Sequence, residues 1–192
     1  MRRFSARILV LMAIALTMRG SQPATQEWFV PWKVLNPGEP PPRAQLIVYW
    51  LPTSRDDMRH SELLTSRVLA LYSTQCVAMQ VVRPDDFERV ERLGANGRAP
   101  VVLLLDADGR ELTHVEQEAG ALRIATVEKM LLDELRVLED EAEQRIDQAR
   151  RIAESGDRDR AITLYRQVCE RKCLLPRQAK TASRALKRMG AN

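Results

Sequence analysis

The order of apolar runs predicts an α/β protein: a small mixed four-stranded sheet with flanking helices, extended at the C-terminus by an α-helical hairpin. Three observations carry this. Leu46 to Trp50 is a continuous apolar run rich in β-branched and aromatic residues, as expected of a central strand covered on both faces. Strand-like and helix-like stretches then alternate, which gives a parallel first pair of strands and a closing antiparallel hairpin. From about Ile124 to the end the apolar residues recur at three- and four-residue steps.

The chain opens with Arg2, Arg3 and Arg7, followed by an apolar stretch from Ile8 to Met18 that is too short to span a bilayer. This is the pattern of an export signal, expected over residues 1–24, although Gln22-Pro23-Ala24 is a weak cleavage site. No cysteine follows the run to carry a lipid. The four arginines of this leader (Arg2, Arg3, Arg7, Arg19) account for the whole net charge of +4, so the remainder is neutral. The basic character is therefore poor evidence for nucleic-acid binding, and none is expected. Residues 25–43 read as a stiff linker, because five of the ten prolines fall between Pro31 and Arg43.

Residues 44–138 form the predicted α/β domain. Pro52 closes the Leu46–Leu51 strand. Ser61 to Tyr72 reads as one amphipathic helix, with Leu63, Leu64, Val68, Leu69, Leu71 and Tyr72 on its stripe. Cys76 to Val82 reads as a second buried strand. Pro84-Asp85-Asp86 opens a second helix, since proline is tolerated in a first turn and acids suit a helix N-terminus. Gly94 and Gly97 end it. Ala99 to Leu105 is the third strand, Asp106-Ala107-Asp108-Gly109 a tight turn, and Arg110 to Val115 a fourth strand whose alternation suits a sheet edge. A long helix runs from Ile124 to Ser155, interrupted at Gly156-Asp157. Helices over Arg158–Lys172 and Pro176–Met189 follow. Residues 139–192 make up the helical extension.

Read in this order, the chain resembles the thioredoxin superfamily over about residues 43–138. Tyr49-Trp50 lies where that family carries an aromatic pair ahead of its active-site loop. Ser54 and Asp57 fall where its two cysteines would stand, and Pro100 matches its cis-proline. The resemblance implies the fold without its usual chemistry. In the family one cysteine attacks a disulfide as a thiolate and the other resolves the mixed disulfide. A serine hydroxyl stays protonated near neutral pH and cannot make this exchange. Ser54 or Asp56 suits a helix N-cap instead; the other reading is a hydrogen-bonding pocket at the strand's C-terminal end. The family's free edge beside the cis-proline pairs with incoming peptide, which implies a protein or peptide partner at Trp50, Ser54, Asp57, Ala99 and Pro100 by strand addition.

The extension resembles one tetratricopeptide unit. Ala149, Gly156-Asp157, Ala161, Tyr165 and Val168 keep that family's spacing, but one unit cannot bury its own face, and a plain helical hairpin has the same pattern. Charge is segregated here, with six acids between Asp133 and Glu143 and seven bases between Arg171 and Arg188.

Of the three cysteines, Cys76, Cys169 and Cys173, an exported chain leaves at least one unpaired or bonded to another molecule. Cys169 and Cys173, four apart on the expected helix, have Cβ atoms about 5–6 Å apart, whereas a disulfide needs about 3.5–4.5 Å. They read either as small apolar residues on one helix face or as redox thiols. The expected function is accordingly an exported, periplasmic or envelope protein-binding or scaffold module without redox activity. The alternative is a thiol–disulfide oxidoreductase using Cys169, Cys173 or Cys76. No cofactor is expected, and no metal site, because His60 and His114 lack ligand-spaced neighbours. A Ser54–His60–Asp57 triad lacks the nucleophile elbow that would support it.

Overall fold

The computed structural model describes residues 28–117 and 122–191. The expected leader, residues 1–24, lies outside them. The sheet has five strands rather than the four expected: β1 (Lys33–Val34), β2 (Leu46–Leu51), β3 (Val77–Val81), β4 (Val101–Asp106) and β5 (Glu111–Glu116), in spatial order β1-β3-β2-β4-β5. β2 runs parallel to β3 and antiparallel to β4, and β4 and β5 form the expected hairpin. Asp106 Oδ1 accepts from the amides of Asp108 and Arg110, and Gly109 takes φ +82°, so the turn closes on its own polar side chain and a residue free to adopt that angle.

The additional strand comes from the segment read as linker. Lys33 and Val34 pair in parallel with Gln80 and Val81, and Leu35 beside them is 1% exposed. Arg89, buried in α3 (Phe87–Arg92), fixes the same segment by donating to the carbonyls of Asn36 and Glu39 at 2.9 Å each.

The expected single helix over Ser61–Tyr72 is divided. A first helix, α1 (Arg55–His60), precedes it, a 3₁₀ turn spans Glu62–Leu64, and α2 covers Arg67–Ser73. Ser61 and Ser66 are the reason: each hydroxyl accepts from a backbone amide two or three residues on, Leu63 and Leu69 respectively. Serine that bonds its local backbone in this way starts a new helical segment instead of continuing the last.

Every residue of β2 is buried, because apolar layers cover both faces of the sheet. On one face Ile47, Tyr49, Leu51, Leu103 and Leu105 pack with Leu35, Val82 and Ala95. On the other, Leu46, Val48 and Trp50 belong to a core that continues through α4 (Ile124–Glu154) into α5 (Arg158–Glu170) and α6 (Pro176–Arg188). At 31 residues, α4 is about 46 Å long. Val127, Leu131 and Leu135 in its first half and Ala142, Ile146 and Ala149 in its second are all buried. Ala149, Ala161 and Ala182 are fully buried, small side chains that let the three helices approach closely.

Candidate functional site

The strand-to-helix loop after β2 is closed by its own side chains. Ser54 Oγ accepts from the Asp57 amide at 3.0 Å, and Asp57 Oδ2 accepts in return from the amide and hydroxyl of Thr53 at 3.0 and 3.2 Å. This reciprocal pairing is the capping arrangement that two short polar side chains three apart make at a helix start. Ser54, rather than Asp56, is the cap. His60 turns toward Asp56, with Nδ1 3.5 Å from Asp56 Oδ1, so Ser54, His60 and Asp57 form no relay.

Across the sheet, the ladder between β2 and β4 ends where Leu51 pairs with Val101, which places Pro100 one step beyond, next to Pro52. The Ala99–Pro100 bond is cis. Pro100 is buried and Ala99 exposed. Among the described residues neither backbone group of Ala99 is hydrogen bonded. Arg98, just before it, holds this corner to the edge strand, donating to Glu116 at 2.8 Å and lying 3.4 Å from Glu111. Donation to Glu116 raises the Arg98 pKa, burial opposes this, and donation to Glu111 raises it further. Burial by itself would raise the Glu111 carboxyl, but Arg98 and His114 outweigh it and hold the carboxyl below its ordinary value.

Asp57 and Pro100 meet in one groove of about 620 Å³, completed by His60, Ser61, Glu62, Leu122, Arg123 and Ile124. Sequence reasoning located Asp57 and Pro100 but missed the start of α4, because its contribution is a matter of packing across the fold. Trp50 requires correction as a ligand-facing residue. It is 1% exposed, stacked edge-on to Trp32 at 5.5 Å, since the whole of β2 is interior.

The cysteines also need correction. Cys169 and Cys173 neither share a helix nor pair: α5 ends at Glu170, and Cys173, in the turn that follows, is bonded to Cys76. Cys169 keeps a thiol 3.3 Å from Ser183 Oγ and 3.7 Å from the Ala179 carbonyl. Cys76 immediately precedes β3, so the disulfide lies at the starting ends of the parallel strands. The Ser54 loop lies at their far ends, about 16 Å away along five residue steps of β2. Among the described residues no group of three or more His, Cys, Asp or Glu side chains is placed to hold a metal ion. No helix among them is long and apolar enough to cross a membrane.

The strand order, strand directions and flanking helices define a thioredoxin-like α/β fold with C-terminal helices. No protein-family model matches the chain, and no curated protein matches it. Among solved structures, one described as DsbH oxidoreductase is similar at 17% identity with a TM-score of 0.32, covering 45% of this chain and 70% of its own. That likeness is too slight to carry function, and the fold assignment rests on the topology.

Proposed function

We propose that the protein is an exported, non-redox module that holds an extended protein or peptide partner beside Ala99. The observation that carries this reading is the exposed Ala99 backbone, unbonded among the described residues, at the rim of the groove formed by Asp57, His60, Glu62, Pro100 and Arg123. A strand laid there gains main-chain hydrogen bonds at no cost to the sheet, and the groove side chains select its residues. Ser54 and Asp57 occupy the place of a redox pair, but their polar atoms serve the cap. A disulfide far from that loop, together with the leader-like N-terminus, favours an oxidising compartment such as the periplasm. The extension, with Ala149, Ala161, Tyr165 and Val168 buried at tetratricopeptide-like spacing, provides a scaffold beside the sheet.

Two measurements on the purified chain test this. Insulin reduction is expected at the uncatalysed rate. A fluorescent peptide selected from a random library is expected to bind saturably, and Ala99→Trp, at an exposed position, to weaken it at least tenfold. Binding unaffected by Ala99→Trp sinks the site. The competing oxidoreductase reading is favoured by one observation, a free Cys169 four residues from the disulfide-bonded Cys173. Insulin reduction that disappears when Cys169 and Cys173 are changed to Ser would establish it instead.

A further inference from the structure

A second concavity lies on the opposite side of α1. Residues of an α-helix are spaced about 100° apart. Asp57, His60 and Ser61 therefore face the groove at Pro100, and Arg55, Met58 and Arg59 face away from it. The second pocket, about 350 Å³, is completed by Val34 of β1 and by Arg83 and Pro84 just past β3. It sits beyond the C-terminal ends of two parallel strands, where open α/β sheets place their ligands.

Its charge is unbalanced. Arg83 is chelated by Asp85, with Nε and Nη2 at 2.8 and 2.5 Å from the two carboxylate oxygens. Arg55 and Arg59 are exposed and have no carboxylate within ion-pair distance among the described residues. Three guanidiniums thus face one acid, a local excess of two positive charges. The walls between them are apolar: Val34 is 43% exposed, and Met58 and Pro84 lie beside it.

The backbone of β1 adds direction. Leu35 donates its amide to Val81 at 2.9 Å, and bonding alternates along a parallel strand, so the N–H and C=O of Val34 point away from β3 into the open sheet edge. Among the described residues, Val34 therefore offers an unpaired main-chain donor and acceptor and an apolar side chain, next to two arginines that make no ion pair.

We propose that this pocket binds an extended acidic peptide segment, paired with the edge at Val34. Its carboxylates lie on Arg55 and Arg59, and an apolar side chain rests on Val34, Met58 and Pro84. Charge complementarity sets the acidic partner, and the strand edge sets its extended form. The site is separate from Ala99, and its test does not depend on that reading.

The probe is a fluorescein-labelled decapeptide of alternating Asp and Val, titrated by anisotropy into the full chain. Saturable binding is expected, at least tenfold weaker for the Arg55→Gln/Arg59→Gln double variant, whose exposed positions should leave the thermal midpoint in place. Val34→Pro, tolerated at a sheet edge, should weaken binding severalfold by removing the main-chain donor, and raising the salt should weaken it through screening. Any of these binding results overturns the proposal: no saturable binding; a Lys/Val decapeptide binding equally well; an affinity unchanged in the double variant; or displacement by low-millimolar inorganic phosphate, which marks a simple anion site. Dimerisation of the chain that the double variant abolishes would assign the pocket to a second copy and equally overturn it.

Discussion

Arg89 shows how one side chain organises a segment that its sequence leaves undefined. It is 4% exposed, and its guanidinium reaches Asp86 Oδ2 at 2.9 Å as well as the carbonyls of Asn36 and Glu39. Asp86 is equally buried and caps α3. Arg89→Ala strands this carboxylate and two carbonyls away from water, so a loss of about 3–5 kcal/mol is expected in urea unfolding. A loss under about 1 kcal/mol would show that water replaces the guanidinium. A milder effect is expected at Glu111. Its folded pKa lies below the ordinary 4.5, so it contributes stability above that value and loses it as the pH falls through the lowered one. Glu111 is a third exposed, which limits the contribution to about 1 kcal/mol or less. The wild-type chain should therefore lose more stability than Glu111→Gln between about pH 5 and 3, measured by urea midpoint. Parallel pH profiles would remove the Arg98–Glu111 pair from the account. At this scale the sequence showed what is local. Ser54 capping α1 follows from residue type and spacing, whereas the burial of Trp50 depends on layers contributed by distant segments.

Elements were legible in proportion to their periodicity. β2, β4 and α4 are long and apolar at a single period; the expected limits of β2 and α4 agree with the observed ones within a residue, and β4 starts two residues later than expected, past the cis Ala99–Pro100 bond. β1 has only two residues, both exposed, in a proline-rich stretch; its position depends on pairing with β3 and on the Leu35 anchor. The cysteines illustrate the same boundary. Their spacing in the chain says nothing of Cys76 approaching the turn between α5 and α6, which depends on α4 carrying the extension back across the sheet. The Cys76–Cys173 bond closes a loop of 97 residues and is joined there by Gln45, which donates to the Glu170 carbonyl at 2.9 Å. A cross-link over that length restricts the unfolded chain by about 4–5 kcal/mol in the loop-entropy account. Cys76→Ser or Cys173→Ser should therefore lower stability by about 3–5 kcal/mol in denaturant titration. The same loss should appear in the unsubstituted chain under reductant. Equal stabilities with and without reductant would mean that the bond does not form in the folded protein.

At the scale of the whole molecule, the sheet and the C-terminal helices differ in character but share a core. Leu46, Val48 and Trp50 belong to the same buried cluster as Tyr165, Val168, Leu175 and Leu186, bridged by the two halves of α4. α4 cannot fray at its centre without exposing apolar groups on both sides, so the two parts should unfold together. The aromatic residues make this measurable. Trp28, Trp32 and Trp50 all lie in the sheet half, whereas most helical residues lie in α4, α5 and α6. Tryptophan fluorescence thus reports the sheet, and far-ultraviolet circular dichroism chiefly the helices. The two signals should give coincident urea midpoints, and reduction of Cys76–Cys173 should move both by the same amount. A helical signal lost at lower urea, and separating further on reduction, would make the extension an independent unit attached through its disulfide. A partner bound at Ala99 would then leave the helices unaffected; with a shared core, it should raise both midpoints together.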